Sequence, residues 1–371
     1  MNRPRVPLRK FVKEYSVRNK ANEDIPVYSV TNSQGFCTEY FGKEVASHDK
    51  TTYKIVPRGY FAYNPSRINV GSVDWQRCEE RVIVSPLYTV FSVSDEIDCQ
   101  YLYYFLRSDF GKQMIKARAS GSVRDNLKLE MLKEMTIPDI SKEGQHFCAQ
   151  ILDCLQILIQ LRKQELQKLD DLIKARFAEL FGDPMINPKG FPCYTVGEVI
   201  SFQGGSQPDK KYFEYESTPD NIRLIQIRDY KSDKYVTYIP RTMAKRFCTA
   251  DDIMIGRYGP PIFQILKGIE GSFNVALMKA TPKIGNREFI RQFLKQDCLL
   301  EYLEGMSKRT AGQDGIQMDK LKAYPFPYPP IELQEEFAAF VEQVDKSKAA
   351  VQKALDETQV LFDSLMQKYF G

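Results

Sequence analysis

The sequence predicts a mixed α/β (α+β) protein in which two similar globular domains are separated by two long helices that pair as an antiparallel coiled coil. Three observations lead to this fold class: a long proline-free stretch after Pro138, an apolar seam within it, and a second copy of the pattern 189 residues further along the chain. A helix with a narrow apolar seam needs a partner. The second copy supplies one within the same chain.

A first long helix is predicted at 140–182. Ser141 can serve as its N-cap, and Gly182-Asp183-Pro184 is the glycine-then-proline pattern of a helix C-terminus. Nine positions recur at alternating spacings of three and four, as in a coiled coil. Two of them are Arg162 and Arg176, and the other seven are apolar. The apolar seam residues are Leu152, Leu155, Ile159, Leu166, Leu169, Ile173 and Leu180. At about 1.5 Å per residue this helix is roughly 60 Å long.

A second long helix is predicted at 331–371 from an internal repeat. Adding 189 to the seam positions gives a second seam. Its members that can pack are Val341, Val344, Val351, Leu355, Phe362, Leu365 and Tyr369. Three further identities share this offset: Phe181-Gly182 with Phe370-Gly371, Leu132-Lys133 with Leu321-Lys322, and Gln145 with Gln334. Repetition at one fixed offset indicates duplicated structure.

The first globular domain is predicted at 1–139. Alternating apolar residues predict strands at 27–31, 53–56 and 60–63, with one or two more in 81–93. Helical spacing follows at 100–117, a short helix at 128–135 and an edge strand at 136–138.

The second globular domain, predicted at 184–330, repeats this order. It has strands at 222–227, 253–255 and 273–280, followed by a helix at 289–306. A proline-rich segment, 324–330, then leads into the last helix.

The predicted globules and the predicted long helices differ in net charge. Residues 141–182 carry six basic and six acidic side chains, and 331–371 carry four lysines and eight acidic side chains. Because the whole chain has a net charge of +4, the remaining residues carry +8. Basic surfaces of this kind favour phosphate-bearing partners.

Composition restricts the cellular and chemical setting. We find no apolar run of 18 residues and no secretory signal at the N-terminus, so we expect a cytoplasmic protein. Eight cysteines form no C-x-x-C pair and are expected to be reduced, and the chain has only two histidines. A metal site is therefore not predicted.

Catalytic motifs are not evident. A phosphate-binding P-loop and a G-x-S-x-G elbow are absent. The loop Asn64-Pro65-Ser66-Arg67 lacks the second proline and the aromatic residue of an amino-group methyltransferase loop. Acidic pairs such as Asp170-Asp171 are better explained as solvated helix positions. No catalytic residue is therefore predicted.

Polar loops with interleaved aromatic residues are the remaining candidates for function, and they occur in both globules. Arginine can contact guanine through two hydrogen bonds, asparagine and glutamine can contact adenine, and serine or lysine can hold phosphate. In the first globule the candidates are Arg58, Tyr63, Asn64, Arg67 and Asn69, and then Arg118, Ser120, Ser122, Arg124 and Asn126. In the second globule they are Gln226, Arg228, Arg257, Tyr258, Lys308, Arg309 and Gln313.

With these features the sequence resembles the specificity subunits of type I restriction-modification systems over nearly its whole length. The resemblance is strongest at 132–152, in KLDDLIKARFAELFGDPMINPKGF from Lys168, and in LKAYPFPYPPIELQEEFAAFVEQVDK from Leu321. The loops at 63–71 and 256–259 also look like those of the family's target-recognition domains.

The resemblance implies a role for each part of the chain. The globules at 1–139 and 184–330 would each read one half of a bipartite double-stranded DNA site. The spacer helices at 140–183 and 331–371 would set the gap and bind two modification subunits. S-adenosylmethionine would be held by those partners, and ATP and Mg²⁺ are expected on restriction subunits, so this chain would be non-catalytic and hold no cofactor.

Two other classes of function compete with this interpretation. One is a coiled-coil scaffold or adaptor that binds proteins and no nucleic acid. The other is a self-sufficient methyltransferase or nuclease, which the absence of recognisable catalytic motifs disfavours.

Overall fold

The computed structural model describes residues 4–38, 49–119, 126–258, 262–307 and 316–371. It divides into two compact units. The first comprises Met1–Gln164 and Gln352–Gly371, and the second comprises Glu165–Val351. Each unit therefore combines one globular region with one end of each long helix.

The first unit contains short strands followed by helices. Its strands are β1 (Arg5–Pro7), β2 (Val12–Glu14), β3 (Ser29–Thr31), β4 (Gly35–Cys37), β5 (Lys54–Pro57), β6 (Phe61–Tyr63), β7 (Val73–Trp75), β8 (Arg81–Val84), β9 (Thr89–Val93) and β10 (Thr136–Pro138). Its helices are α1 (Cys99–Arg107), α2 (Asp109–Arg118), α3 (Leu129–Lys133) and the first half of α4 (Lys142–Phe181). The second half of the last helix, α9 (Ile331–Phe370), also belongs to this unit.

An antiparallel sheet in the order β2-β9-β6-β7 forms the centre of this unit, and β3-β4, β5-β8 and β1-β10 pair separately. Phe61 and Phe91 stack across neighbouring strands with ring centroids 5.0 Å apart. The end of the chain completes the core, because Phe370 is fully buried with its ring 5.0 Å from that of Tyr101. The Arg5 guanidinium donates to the Phe370 carbonyl at 3.2 Å, which ties the first strand to the last helix.

The second unit has the same plan. Its strands are β11 (Cys193–Thr195), β12 (Ile200–Gly204), β13 (Asn221–Ile225), β14 (Tyr238–Pro240), β15 (Phe247–Cys248), β16 (Ile253–Gly256), β17 (Gln264–Lys267), β18 (Gly271–Phe273), β19 (Leu277–Pro282) and β20 (Pro325–Pro327). Its helices are α5 (Val196–Val199), α6 (Arg287–Leu294), α7 (Asp297–Ser307), α8 (Met318–Ala323), the first half of α9 (Ile331–Phe370) and the second half of α4.

Sheet order shows that the two globules are structural repeats. The central sheet of the second unit runs β12-β19-β16-β17, which matches β2-β9-β6-β7 strand for strand. A second sheet, β14-β13-β18-β15, has no four-stranded counterpart among the described residues of the first unit. Phe177 and Phe181 of α4 pack with Phe289 and Phe337 in the core.

The two long helices pack together in opposite directions, as the seam predicted. In the first unit the start of α4 meets the end of α9, where the Arg162 guanidinium donates to the Ala354 carbonyl. In the second unit the end of α4 meets the start of α9, where Arg176 pairs with Glu336 at 2.9 Å. All fourteen apolar seam positions are buried or half-buried.

Two equivalent glutamines join the long helices to their globules. The Gln145 side chain accepts from the Asp98 backbone N–H at 2.8 Å and donates to the Ile140 carbonyl at 3.1 Å. Gln334, 189 residues later, accepts from the Asn286 N–H at 2.9 Å and donates to the Pro329 carbonyl at 2.8 Å. Both glutamines are buried, and Asp98 and Asn286 are the N-caps of α1 and α6. The repeat thus extends to individual hydrogen bonds.

Three predicted elements are divided in the structure. The helix expected at 100–117 is α1 and α2, because the Ser108 hydroxyl accepts from the Gly111 N–H at 3.0 Å and starts a new helix. The helix expected at 289–306 is likewise α6 and α7, and the strand expected at 273–280 is β18 and β19. Between those strands the Asn274 side chain accepts from the Ala276 N–H at 3.1 Å, which stabilises a turn.

We expect Gln145→Ala and Gln334→Ala each to lower the free energy of unfolding by about 1–3 kcal/mol, because each removes a buried side chain and leaves one backbone N–H and one carbonyl, partly or fully buried, without that partner. Denaturant unfolding of the full chain measures the loss. Gln343→Ala, at an exposed position of α9, is the matched control. Equal values for all three variants would contradict a joining role for the glutamines.

Candidate nucleic-acid interface

The first polar loop follows β6 and is ordered by its own hydrogen bonds. The Asn64 side chain accepts from the Ser66 N–H at 3.0 Å. Gly71 closes the loop with φ of 96°, a conformation that favours glycine. The guanidinium of Arg107 on α1 donates to the Gly71 carbonyl at 3.0 Å and to the Asn32 carbonyl at 2.5 Å. A residue that the sequence did not single out therefore holds this loop in place.

Two loops that were predicted separately meet in the first unit. The Ser66 hydroxyl donates to the Asn126 side-chain oxygen at 2.7 Å, and the Leu127 N–H donates to the Pro65 carbonyl at 3.1 Å. Asn64 and Arg67 also line a cavity of about 450 Å³. The structure thus brings Asn64, Arg67 and Asn126 into one polar region, and Asn69 is exposed in the same loop.

Three other candidates in the first globule do not join this region. Tyr63 is fully buried, and its hydroxyl donates to the Leu127 carbonyl at 3.0 Å, so the prediction that it contacts DNA is wrong. Arg58 is exposed but precedes β6, at the opposite strand end from Asn64. Arg118 is half-buried and donates to the Met114 and Glu134 carbonyls. Ser120, Ser122 and Arg124 lie outside the described residues.

In the second unit two candidate side chains share one buried acceptor. The Thr237 hydroxyl, which has no exposed surface, accepts from the Gln226 amide at 3.1 Å and from the Arg228 guanidinium at 3.0 Å. Asp229 accepts from the Gln226 backbone N–H at 2.9 Å. Its carboxylate also lies 3.9 Å from Arg228 Nε and 4.0 Å from Arg223 Nε. This network fixes Gln226 and Arg228 before any partner binds.

Charge and burial act in opposite directions on the Asp229 carboxyl. Burial raises its pKa above the ordinary value of an aspartate. The hydrogen bond from Gln226 and the guanidinium groups of Arg223 and Arg228 lower the pKa and favour the charged form.

Arg257 and Tyr258 lie beside this network. A Cβ atom added to Gly256 would lie 2.9 Å from Ile227 Cδ1, so the end of β16 closely approaches the segment that carries Gln226 and Arg228. The Arg257 guanidinium stacks over the Tyr258 ring at 5.3 Å from its centroid. Lys308, Arg309 and Gln313 lie outside the described residues.

The second unit has an aromatic and basic cavity that the sequence did not predict. It has a volume of about 550 Å³ and is lined by Tyr215, Ser217, Arg228, Asp233, Lys234, Tyr235, Val236 and Tyr238. Tyr215 is 74% exposed and Tyr235 is 60% exposed. The lysines and tyrosines that recur within 231–238 are the feature of the sequence that could have indicated this cavity.

The described residues contain no group of three or more His, Cys, Asp or Glu side chains placed to hold a metal ion. In the same part of the chain, none of the helices combines the length and apolar character needed to cross a membrane.

A sequence profile of the type I restriction modification DNA specificity domain matches residues 9–171 and again residues 188–358. The two matches together cover most of the chain and fall on its two structural repeats.

The chain belongs to the type I restriction-modification DNA specificity family.

Curated members of this specificity family are similar to the chain in sequence. It is 26% identical over 174 residues to the MjaIX specificity subunit of a type I restriction enzyme from Methanocaldococcus jannaschii, covering 38% of this chain and 40% of that relative. A putative type I specificity subunit from Mycoplasma genitalium is 25% identical over 293 residues, covering 74% of this chain and 71% of the relative.

Solved structures share the fold. The S subunit of a type I restriction-modification system from M. genitalium has a TM-score of 0.61 at 16% identity, covering 100% of this chain and 96% of that chain. A structure described as showing complex assembly and conformational transition of the type I R-M system has a TM-score of 0.58 at 17% identity. This match covers 100% of this chain and 99% of that chain.

Family membership confirms the resemblance found in the sequence. Specificity subunits are the non-catalytic component of these systems, so the prediction that this chain is not itself an enzyme is also confirmed. The DNA specificity family gives no support to a scaffold that avoids nucleic acid.

We expect Thr237→Val to lower the free energy of unfolding by about 1–3 kcal/mol, because the isosteric side chain leaves the Gln226 amide and the Arg228 guanidinium without their acceptor. Thr237→Ser keeps the hydroxyl and is the matched control, with a smaller loss expected. Denaturant unfolding of the two variants makes the comparison. A loss from Thr237→Ser as large as that from Thr237→Val would show that packing, and not the hydroxyl, matters here.

Proposed function

We propose that the two globules, 1–139 and 184–330, are target-recognition domains that each read one half of a bipartite double-stranded DNA site. One observation carries this proposal. Strands β6 and β16 hold the same place in the two central sheets, and each leads directly into a polar loop that begins with Asn64 or Arg257. Equivalent positions that present different side chains suit two different half-sites.

Each polar region contains groups suited to base edges and phosphates. Asn64, Arg67, Asn69 and Asn126 would read the first half. Gln226, Arg228, Arg257 and Tyr258 would read the second. Paired contacts of arginine with guanine and of amides with adenine supply sequence discrimination, and the basic balance of the globules supplies attraction to phosphate.

The helices would set the gap between the halves and carry the partners. Each is 40 residues long, which corresponds to roughly 60 Å, against about 34 Å for one turn of DNA. Two modification subunits that hold S-adenosylmethionine and methylate adenine would bind the outer faces of 140–183 and 331–371. Restriction subunits that use ATP and Mg²⁺ would join this cytoplasmic complex.

Arg67→Ala should relax discrimination in the first half-site only, and Arg257→Ala in the second half-site only, each by about 1–3 kcal/mol. Competition binding of the assembled complex with oligonucleotides mismatched in one half or the other measures this. Arg58→Ala is the matched control, since Arg58 is exposed in the first unit but lies at the other end of β6. Equal effects of either variant on both halves would contradict separate reading.

Seven residues that continue the heptad pattern, inserted both after Gln164 and after Val351, should lengthen the gap by about three base pairs and leave both halves unchanged. One heptad adds about 10.5 Å of helix and preserves the seam. Mapping methylated adenines in DNA modified by the variant complex gives the gap. The same insertion after Pro188, in the linker, should leave the gap unchanged. An unaltered gap in the helix variant would show that the helices do not set it.

A further inference from the structure

The first unit carries an exposed apolar stripe on α4, directly beside its seam. Five of its members follow one another at spacings of three or four residues, and the sixth, Ile157, adjoins Leu158, so all six lie on one helix face. They are Phe147, Ile151, Cys154, Ile157, Leu158 and Leu161. Phe147 is 61% exposed and Ile157 is 57% exposed, and Ile151 is half-buried, so most of the stripe is uncovered within the described residues.

Two residues of α9 extend this stripe. Val360 and Leu361 belong to the same unit and are 69% and 49% exposed. Leu158 immediately precedes the seam residue Ile159, and Leu361 immediately precedes the seam residue Phe362, so both hold the same heptad position. In an antiparallel pair, residues at this position flank the same edge of the seam. We call the eight residues the first-unit stripe.

The repeat gives the second unit a corresponding face of different chemistry. At an offset of 189 its positions on α9 are Glu336, Phe340, Gln343, Lys346, Ser347 and Ala350, and those on α4 are Asp171 and Leu172. Lys346 pairs with Glu342 at 2.8 Å, and Asp171 accepts from Gln167 at 3.0 Å. This second-unit face is mostly polar and hydrogen-bonded to its own helices.

We propose that the two modification subunits bind unequally, the first to the first-unit stripe with high affinity and the second to the second-unit face with lower affinity. This inference rests on the proposed function, in which the long helices bind these partners. The stripe has the period of the seam and lies along its edge, so the occupant that continues the packing is an amphipathic helix of a modification subunit. Apolar contacts provide most of the binding free energy in such packing, and the second-unit face supplies few.

Titration of the full-length chain with the modification subunit of its own system tests the inequality. Native mass spectrometry should show a one-to-one complex before the two-to-one complex, with dissociation constants that differ by roughly tenfold or more. Two equal, independent sites would overturn the inference and leave the proposed function standing. Failure to bind any modification subunit would overturn the docking function itself.

Exchange of side chains between the two faces identifies which site is which. Ile157→Lys with Leu158→Ser copies Lys346 and Ser347 onto the stripe, and should weaken only the tight step, by roughly tenfold or more. The reciprocal pair, Lys346→Ile with Ser347→Leu, should strengthen only the weak step. Leu87→Ser, at a residue that is 79% exposed elsewhere in the first unit, is the control and should change neither step.

Sedimentation of the chain alone tests a different occupant. A monomer is expected at concentrations where the tight complex forms. A dimer that Ile157→Lys with Leu158→Ser dissociates would assign the stripe to a second copy of this chain and overturn the inference. In the titration, loss of the weak binding step in the Ile157→Lys, Leu158→Ser variant, with the tight step retained, would also overturn the inference.

Discussion

The fold depends on the mutual burial of two apolar seams. Each 40-residue helix carries an apolar seam, so each needs the other to cover residues such as Leu152 and Val341, which are buried in the structure. Antiparallel pairing gives each unit the start of one helix and the end of the other. As a consequence the last residues of the chain belong to the first unit, where Phe370 packs on Tyr101 and its carbonyl accepts from Arg5.

The two units share the positions that build the fold, and they differ at the loop positions that are candidates for function. Gln145 and Gln334 make equivalent hydrogen bonds in the two units, and β6 and β16 lie in equivalent places. Beyond those strands the side chains differ, with Asn64 and Arg67 in one loop and Arg257 and Tyr258 in the other. A duplicated frame with unlike loops suits a subunit that reads two unlike half-sites.

The long helices, their seam and the repeat could be predicted from the sequence because periodic burial leaves a regular pattern over many residues. Breaks within single helices could not be predicted. The division between α1 and α2 at Ser108 depends on one side-chain hydrogen bond within an otherwise helical pattern. The burial of Tyr63 could not be predicted either, because alternation along a strand does not show which face is covered, and here residues of α1 and α2 share its core. The roles of Arg107 and Thr237 come from contacts with distant residues, which no local pattern encodes.

In the proposed function, one chain reads two half-sites at a fixed separation. The most direct measurement is a map of methylated adenines in DNA modified by the complex of this chain with its modification subunits. A single two-part motif is expected, with a constant number of unspecified base pairs between its halves. A continuous motif, or two parts at variable separation, would contradict it.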